Sequence, residues 1–262
     1  GAFAFRLRGG DNADDVTILR GYCMRLDKYL SASGECSRRD CARDVRAGLI
    51  LIDGKPARAV DAEVVPGVSR VVRRGVPVVW REHIYIMLNK PEGYVSATED
   101  KKDGCPVVTE LCAERDRARV FPCGRLDKYT VGLMLLTDDG ELAHRLLAPS
   151  RHVDKTYRYT AESVLSADAR ARLESGVYIE GGVLTAPCRV EPEDGTHGLI
   201  TIHEGKYHQI KQMFGAVGNK ITALERVSFG PLMLDPSLPR GGVRYLDDAE
   251  VASLYAAARL QR

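Results

Sequence analysis

Arg125 and Asp127 are the charged pair best placed for chemistry, in the stretch Phe121–Leu147, FPCGRLDKYTVGLMLLTDDGELAHRLL. A turn built on Pro122 and Gly124 precedes them, and the apolar run Leu133–Thr137 that follows Gly132 reads as a buried strand. Asp138-Asp139-Gly140 is turn chemistry. Asp138 stands three residues before Glu141, the spacing of a capping box that opens a helix over Glu141–Leu147. Charged groups on a loop held by a rigid scaffold are where binding and catalysis concentrate. A carboxylate there can act as a nucleophile or as a general base. On spacing alone, Asp127 reads equally well as a turn aspartate bonding its own backbone.

Two later segments add candidates. From Lys155 the chain alternates like a strand, with Lys155, Tyr157 and Tyr159 on one face. A helix is predicted over Tyr207–Val217, stopped by Gly218-Asn219, and it carries Lys211. By themselves these are a half-buried strand tyrosine and a surface lysine.

Taken whole, GRLD followed by GLMLLTDDGELAHRL resembles the central motif of the RsuA-type pseudouridine synthases, enzymes that modify bacterial ribosomal RNA. In that family this aspartate is catalytic, which carries to Asp127. HVDKTY resembles the second motif, whose tyrosine packs on the target uracil, which carries to Tyr157. EGKYHQIKQMFGAVGN resembles the third, in which a basic residue pairs with the catalytic carboxylate; that residue is Lys211 here. A leucine that packs near the base carries to Leu224 in LERVSFGPL, and Arg125 reaches toward RNA, filling space or holding phosphate. LNKPEGYVS resembles the opening motif, whose lysine and proline, Lys90 and Pro91, are largely structural. The chain departs from the pattern at Tyr129, often acidic in the family, and at Gln212, often basic. A site of Asp, Tyr and Lys needs no cofactor and no metal.

The elements that must position these groups begin at Met24. Leu26, Tyr29 and Leu30 fall at helical spacing and Ser33-Gly34 closes that helix. Ser37 is an N-cap for a second helix, Arg38–Ala47, stopped by Gly48, and Asp53-Gly54 is a hairpin turn leading into Ala57–Val65. RLDKYL and SRRDCARDVRAGLILIDGK resemble the RNA-binding module named for ribosomal protein S-four. The resemblance assigns the grip on RNA to Arg38, Arg39, Arg43, Arg46 and Lys55. Residues 24–74 hold 11 Lys/Arg against 7 Asp/Glu, and residues 75–262 hold 24 against 26, so positive charge gathers in this unit. The expected organisation is an extension without order over residues 1–23, the module over 24–70, a linker over 71–82 and a large domain over 83–262. Within the large domain Thr98–Gly104 is polar, and a mobile segment is expected there. Ser166 caps a helix ending at Ser175, Gly181-Gly182 turns a hairpin, and Asp247–Ala258 is a terminal helix. Strands and helices alternate there without βαβ regularity, which predicts an α+β fold with a mixed, largely antiparallel sheet. The resemblance implies the pseudouridine synthase fold.

No apolar run approaches the roughly 20 residues of a membrane span. Seven cysteines without a CxxC pair suggest neither a disulfide framework nor a zinc site and point to the reducing cytoplasm. P-loop, GxGxxG, HExxH and GxSxG signatures are absent. The expected partner is ribosomal RNA or an assembly intermediate, with no membrane and a monomer by default. Within the family the HVDKTY and KYHQIKQMFGAVGN strings look most like the small-subunit (16S) enzymes. The rivals are a large-subunit (23S) target, a non-catalytic RNA-binding assembly factor, and a hydrolase that would need a second carboxylate or a metal.

Overall fold

The computed structural model describes residues 23–100, 104–151 and 153–261. Residues 1–22 of the extension expected over 1–23, the centre of the polar 98–104 segment, His152 and Arg262 lie outside them. The chain parts into two compact units between Glu82 and His83.

In the smaller unit, helix α1 (Leu26–Ala32) buries Leu26, Tyr29 and Leu30, and helix α2 (Arg38–Arg46) starts where the Ser37 hydroxyl accepts from the Asp40 amide. Strands β1 (Ile50–Ile52) and β2 (Lys55–Pro56) meet at Asp53-Gly54, with φ of +50° and +80°. Two successive positive φ values make the type I′ geometry that suits a twisted hairpin. Beyond Pro56 the chain leaves this sheet, and Glu63–Val64 pairs instead with Met24–Arg25. Residues 71–82, expected to be a linker, carry a second hairpin, β3 (Val71–Arg73) and β4 (Val76–Pro77), and the sheet runs β2-β1-β3-β4. Its turn, Arg74-Gly75, again has two positive φ values, and an arginine there gives no turn signal in a sequence. Val71 and Val78 join the core, and Trp80 stacks on Tyr29 with ring centroids 4.9 Å apart. Buried Asp44 fastens α2 to this hairpin, accepting from Arg73 Nε at 2.8 Å and Arg74 Nη2 at 2.8 Å.

The larger unit is built on a nine-stranded sheet. In chain order its elements are β5 (Tyr85–Lys90), β6 (Val131–Thr137), α3 (Gly140–Leu147), β7 (Lys155–Ala161), α4 (Ala167–Ser175), β8 (Arg189–Pro192), β9 (His197–Ile202), α5 (Gln209–Ala216), β10 (Ile221–Phe229), β11 (Val243–Tyr245) and α6 (Asp248–Ala258). The sheet runs β8-β9-β7-β10-β6-β5-β11, and two short strands, Phe121–Pro122 and Leu232–Met233, pair with β6 and β10. Only β10 and β6 run parallel among the described pairs of this sheet. The fold is therefore α+β with a mixed, largely antiparallel sheet, as expected.

Strand alternation gives the sheet two apolar faces. Leu88, Met134 and Leu136 share one cluster with Met213 and Phe214 of α5, whereas Met87, Leu133 and Leu135 share another with Leu142 and Leu146 of α3 and Leu254 of α6. Tyr157 and Tyr159 belong to the first, but Lys155, expected on their face, has its ammonium 5.8 Å from the ring centroid of Phe229, in the second. The β7–β10 ladder slips by one residue between Thr156 and Tyr157, so simple alternation does not carry through.

Candidate active site

Asp127 sits on the loop that enters β6, and the backbone of this loop is held from three sides. Ser96 Oγ donates to the Leu126 carbonyl at 2.7 Å and accepts from the Leu126 amide at 2.9 Å. The Gly93 amide donates to the Lys128 carbonyl at 2.9 Å. Lys90, fully buried at the end of β5, donates from Nζ to the carbonyls of Pro91, Asp127, Lys128 and Thr130 at 2.9–3.1 Å. Burial pushes this ammonium down to about 8, with the negative charge of Asp127 acting in the opposite sense. The KPEGYVS segment is thus a clamp whose cation and hydroxyl fix the course of the loop.

The expected capping box is not formed, and the cap lies one residue later. Helix α3 begins at Gly140, its N-cap is Asp139, and Asp139 Oδ1 accepts from the Leu142 amide at 2.9 Å. Position three of the helix is therefore Leu142 and not Glu141. Asp138 instead accepts from the Ile84 amide at 2.7 Å and pairs with Arg119 at 2.6 Å.

The groups from distant parts of the chain converge on one cleft. Lys211 Nζ lies 3.0 Å from Asp127 Oδ2, so the expected ion pair is present in the structure. Arg125, Asp127, Tyr157, Lys211 and Leu224 all line the cleft, joined by Thr130, Ile202, Lys206 and Ile210. Tyr157 and Leu224 are buried on the neighbouring strands β7 and β10 and offer an aromatic and an aliphatic wall, while Arg125 is exposed at the rim. Beneath the cleft, Gly132 (φ +100°) lets β6 approach β10: an added Cβ would lie 2.3 Å from the Arg226 carbonyl oxygen. Arg226 itself is buried and donates from Nε to the Leu133 carbonyl at 2.7 Å.

Among the lining residues that the sequence did not single out, His208 stands against the carboxylate. His208, expected inside a helix from Tyr207, has φ +47°, and α5 starts only at Gln209. Histidine is among the non-glycine residues enriched in the left-handed region. The bend turns its imidazole to the cleft, with Nε2 at 3.5 Å from Asp127 Oδ1. Both carboxylate oxygens therefore face nitrogen, one from Lys211 and one from His208. The only available signal was the KYH string itself, and helical periodicity argued the other way.

The basic residues expected to hold RNA lie in the smaller unit. Arg38, Arg39, Arg43, Arg46 and Lys55 are all exposed. Arg43 is engaged by Asp40 at 2.8 Å, and Arg46 Nε donates to the Ala42 carbonyl. The described residues contain no group of three or more His, Cys, Asp or Glu side chains placed to hold a metal, and no helix long and apolar enough to cross a membrane.

Comparison with known proteins agrees with this architecture. The family described as RNA pseudouridylate synthase matches residues 84–216, and the S4 domain matches residues 24–68. The chain is 49% identical over 232 residues to an uncharacterized RNA pseudouridine synthase, YtzG, of Bacillus subtilis, covering 87% of this chain and 97% of that protein. It is 37% identical over 234 residues to ribosomal small subunit pseudouridine synthase A of Escherichia coli K12, covering 88% and 100%. A crystal structure of a pseudouridylate synthase superimposes with a TM-score of 0.63 at 32% identity, covering 88% and 99% of the two chains. With the clamp, the cleft and the matched segments in one chain, this protein belongs to the RsuA-type pseudouridine synthases, with an S4 domain ahead of the synthase domain.

Proposed function

We propose that the chain converts a uridine of small-subunit (16S) ribosomal RNA to pseudouridine, with Asp127 as the catalytic group and without a cofactor. The observation that carries the reading is the Asp127–Lys211 pair in a cleft walled by Tyr157 and Leu224. The reaction breaks the bond between N1 of uracil and the ribose, turns the base and rejoins it through C5; C5 then loses its proton and N1 gains one, so no atom is gained or lost overall. The uridine must first leave its stack, at a cost of a few kcal/mol. Tyr157 and Leu224 supply the apolar contact that compensates, since stacking a base on an aromatic ring contributes about 1–3 kcal/mol. Asp127 acts on the ribose, as a nucleophile at C1′ or as a base toward the sugar. Lys211 fixes the direction of the carboxylate, and the clamp fixes the backbone behind it. Arg125 at the rim takes the phosphate beside the displaced nucleotide.

The choice of small-subunit RNA rests on the relatives named for it, which this chain matches over their whole length. The S4-like unit would anchor the RNA through Arg38, Arg39, Arg43, Arg46 and Lys55, contacts that position without reading sequence. The test is chemical mapping of pseudouridine in both ribosomal RNAs, from cells with the protein, without it, and with Asp127→Asn. Loss of one small-subunit site in both the deletion and the variant is expected, with RNA binding by Asp127→Asn within a few-fold of the parent. A lost large-subunit site would correct the target, and full modification by Asp127→Asn would remove the catalytic assignment.

A further inference from the structure

Tyr207 is 72% exposed although it adjoins the cleft, and its ring is not isolated. It lies flat on the imidazole of His208, with ring centroids 3.9 Å apart and an interplanar angle of 21°. His208 lines the cleft and faces Asp127, so the two rings form a short stack that leads from the carboxylate outward. The stack is built at a cost to the backbone, because His208 is held at φ +47° where a helical start was available. Gln212 braces it: its Nε2 donates to the Tyr207 carbonyl at 2.8 Å, and its Oε1 accepts from the Glu180 amide at 2.9 Å. The inner face of the Tyr207 ring is covered by His208 and the outer face meets solvent. A large ring kept in water next to a cleft lined by Lys206 and Lys211, which pair with Glu204 and Asp127, matches the chemistry of a single-stranded nucleic-acid site.

We propose that Tyr207, backed by His208, is a stacking platform for a nucleobase next to the uridine that enters the cleft. Pulling one nucleotide out of a strand breaks the stack on both of its sides, and the neighbouring base then lacks a partner. The Tyr207 ring replaces that partner. Any base has a π face, so the platform adds affinity without choosing sequence. The proposal rests on the reading of the cleft as a uridine site.

The experiment measures binding, in an Asp127→Asn background so that turnover plays no part. The probes are a short oligouridylate and an oligomer of equal length made of abasic ribose phosphates, which carries the charge without the bases. The parent is expected to bind the oligouridylate more tightly. Tyr207→Leu, similar in apolar character but without a π face, is expected to weaken oligouridylate binding about tenfold and to leave the abasic oligomer unchanged. Tyr207→Phe is expected to keep the parent affinity. Equal affinity of the parent for both probes, an unaffected Tyr207→Leu, or a loss of the same size on the abasic oligomer would each overturn the platform. Pseudouridine mapping with Asp127→Asn reports on the chemistry independently, so the two readings fail separately.

Discussion

An ammonium buried among four carbonyl oxygens has no water to replace a missing partner, and Lys90 is in that position. Its folded-state value of about 8 lies below the roughly 10.4 of an unfolded lysine. Between those values the unfolded chain binds more protons than the folded one, so the contribution of this group to stability rises with pH across that window. Its effect on the site runs the other way. Above about 8 the neutral amine has fewer hydrogens for its carbonyls, and the backbone behind Asp127 loosens. Turnover is therefore expected to fall along an alkaline limb near pH 8 while the denaturation midpoint does not fall with it. Lys90→Met should lower kcat at neutral pH and abolish that limb; kcat measured against pH in both proteins checks this, and an unchanged limb in the variant would assign it to another group.

At the level of elements, the contact between β6 and β10 decides whether the cleft has a floor. These strands meet in parallel at Glu225↔Val131 and Arg226↔Gly132, and a side chain at position 132 has nowhere to go. Gly132→Ala is expected to destabilise the larger unit by about 1–3 kcal/mol, the range for overpacking, read as a lower urea midpoint. Turnover should drop further than the unfolded fraction explains, because Asp127 and Leu224 stand on the two sides of this junction. Much of the surrounding structure was legible in the sequence. The caps at Ser37 and Ser166 and the turn at Asp53-Gly54 stand where their residue types put them, since each is fixed by a few neighbouring atoms, and Asp247, expected as the first residue of the last helix, is its N-cap. Local chemistry misled where two candidates stood side by side, as Asp138 and Asp139 do, or where a residue that is not glycine took the left-handed conformation, as Arg74 and His208 do. The parallel pairing of β6 with β10 joins residues about ninety positions apart and leaves no local trace. Arg125, Asp127, Tyr157, Lys211 and Leu224 were singled out through the resemblance of whole motifs, and periodicity alone would have left Tyr157 and Lys211 as core and surface.

For the molecule as a whole, the surplus of positive charge and the candidate site lie in different units. The smaller one carries the arginine-bearing helix α2, anchored through buried Asp44, whose carboxyl is held down to about 2 chiefly by hydrogen bonds from Arg74 and Arg73. If α2 grips phosphate, the double variant Arg38→Ala, Arg39→Ala should weaken binding to ribosomal RNA at low salt. It should also flatten the plot of log affinity against log salt by about one unit for each phosphate that is no longer neutralised. Turnover at saturating RNA should stay near the parent value, and binding isotherms at several salt concentrations with single-turnover assays check both parts. The same parallel junction also bears on the order in which the protein comes into being. A chain made from its N-terminus has every strand of the smaller sheet once Pro77 is out, but β6, flanked at its far end by Phe121–Pro122, waits for Ile221–Phe229 before its Val131-Gly132 end is paired on that edge. Until those residues arrive the basic helix is already in place, Asp127 has been synthesised, and the cleft still lacks Leu224 and one of its walls.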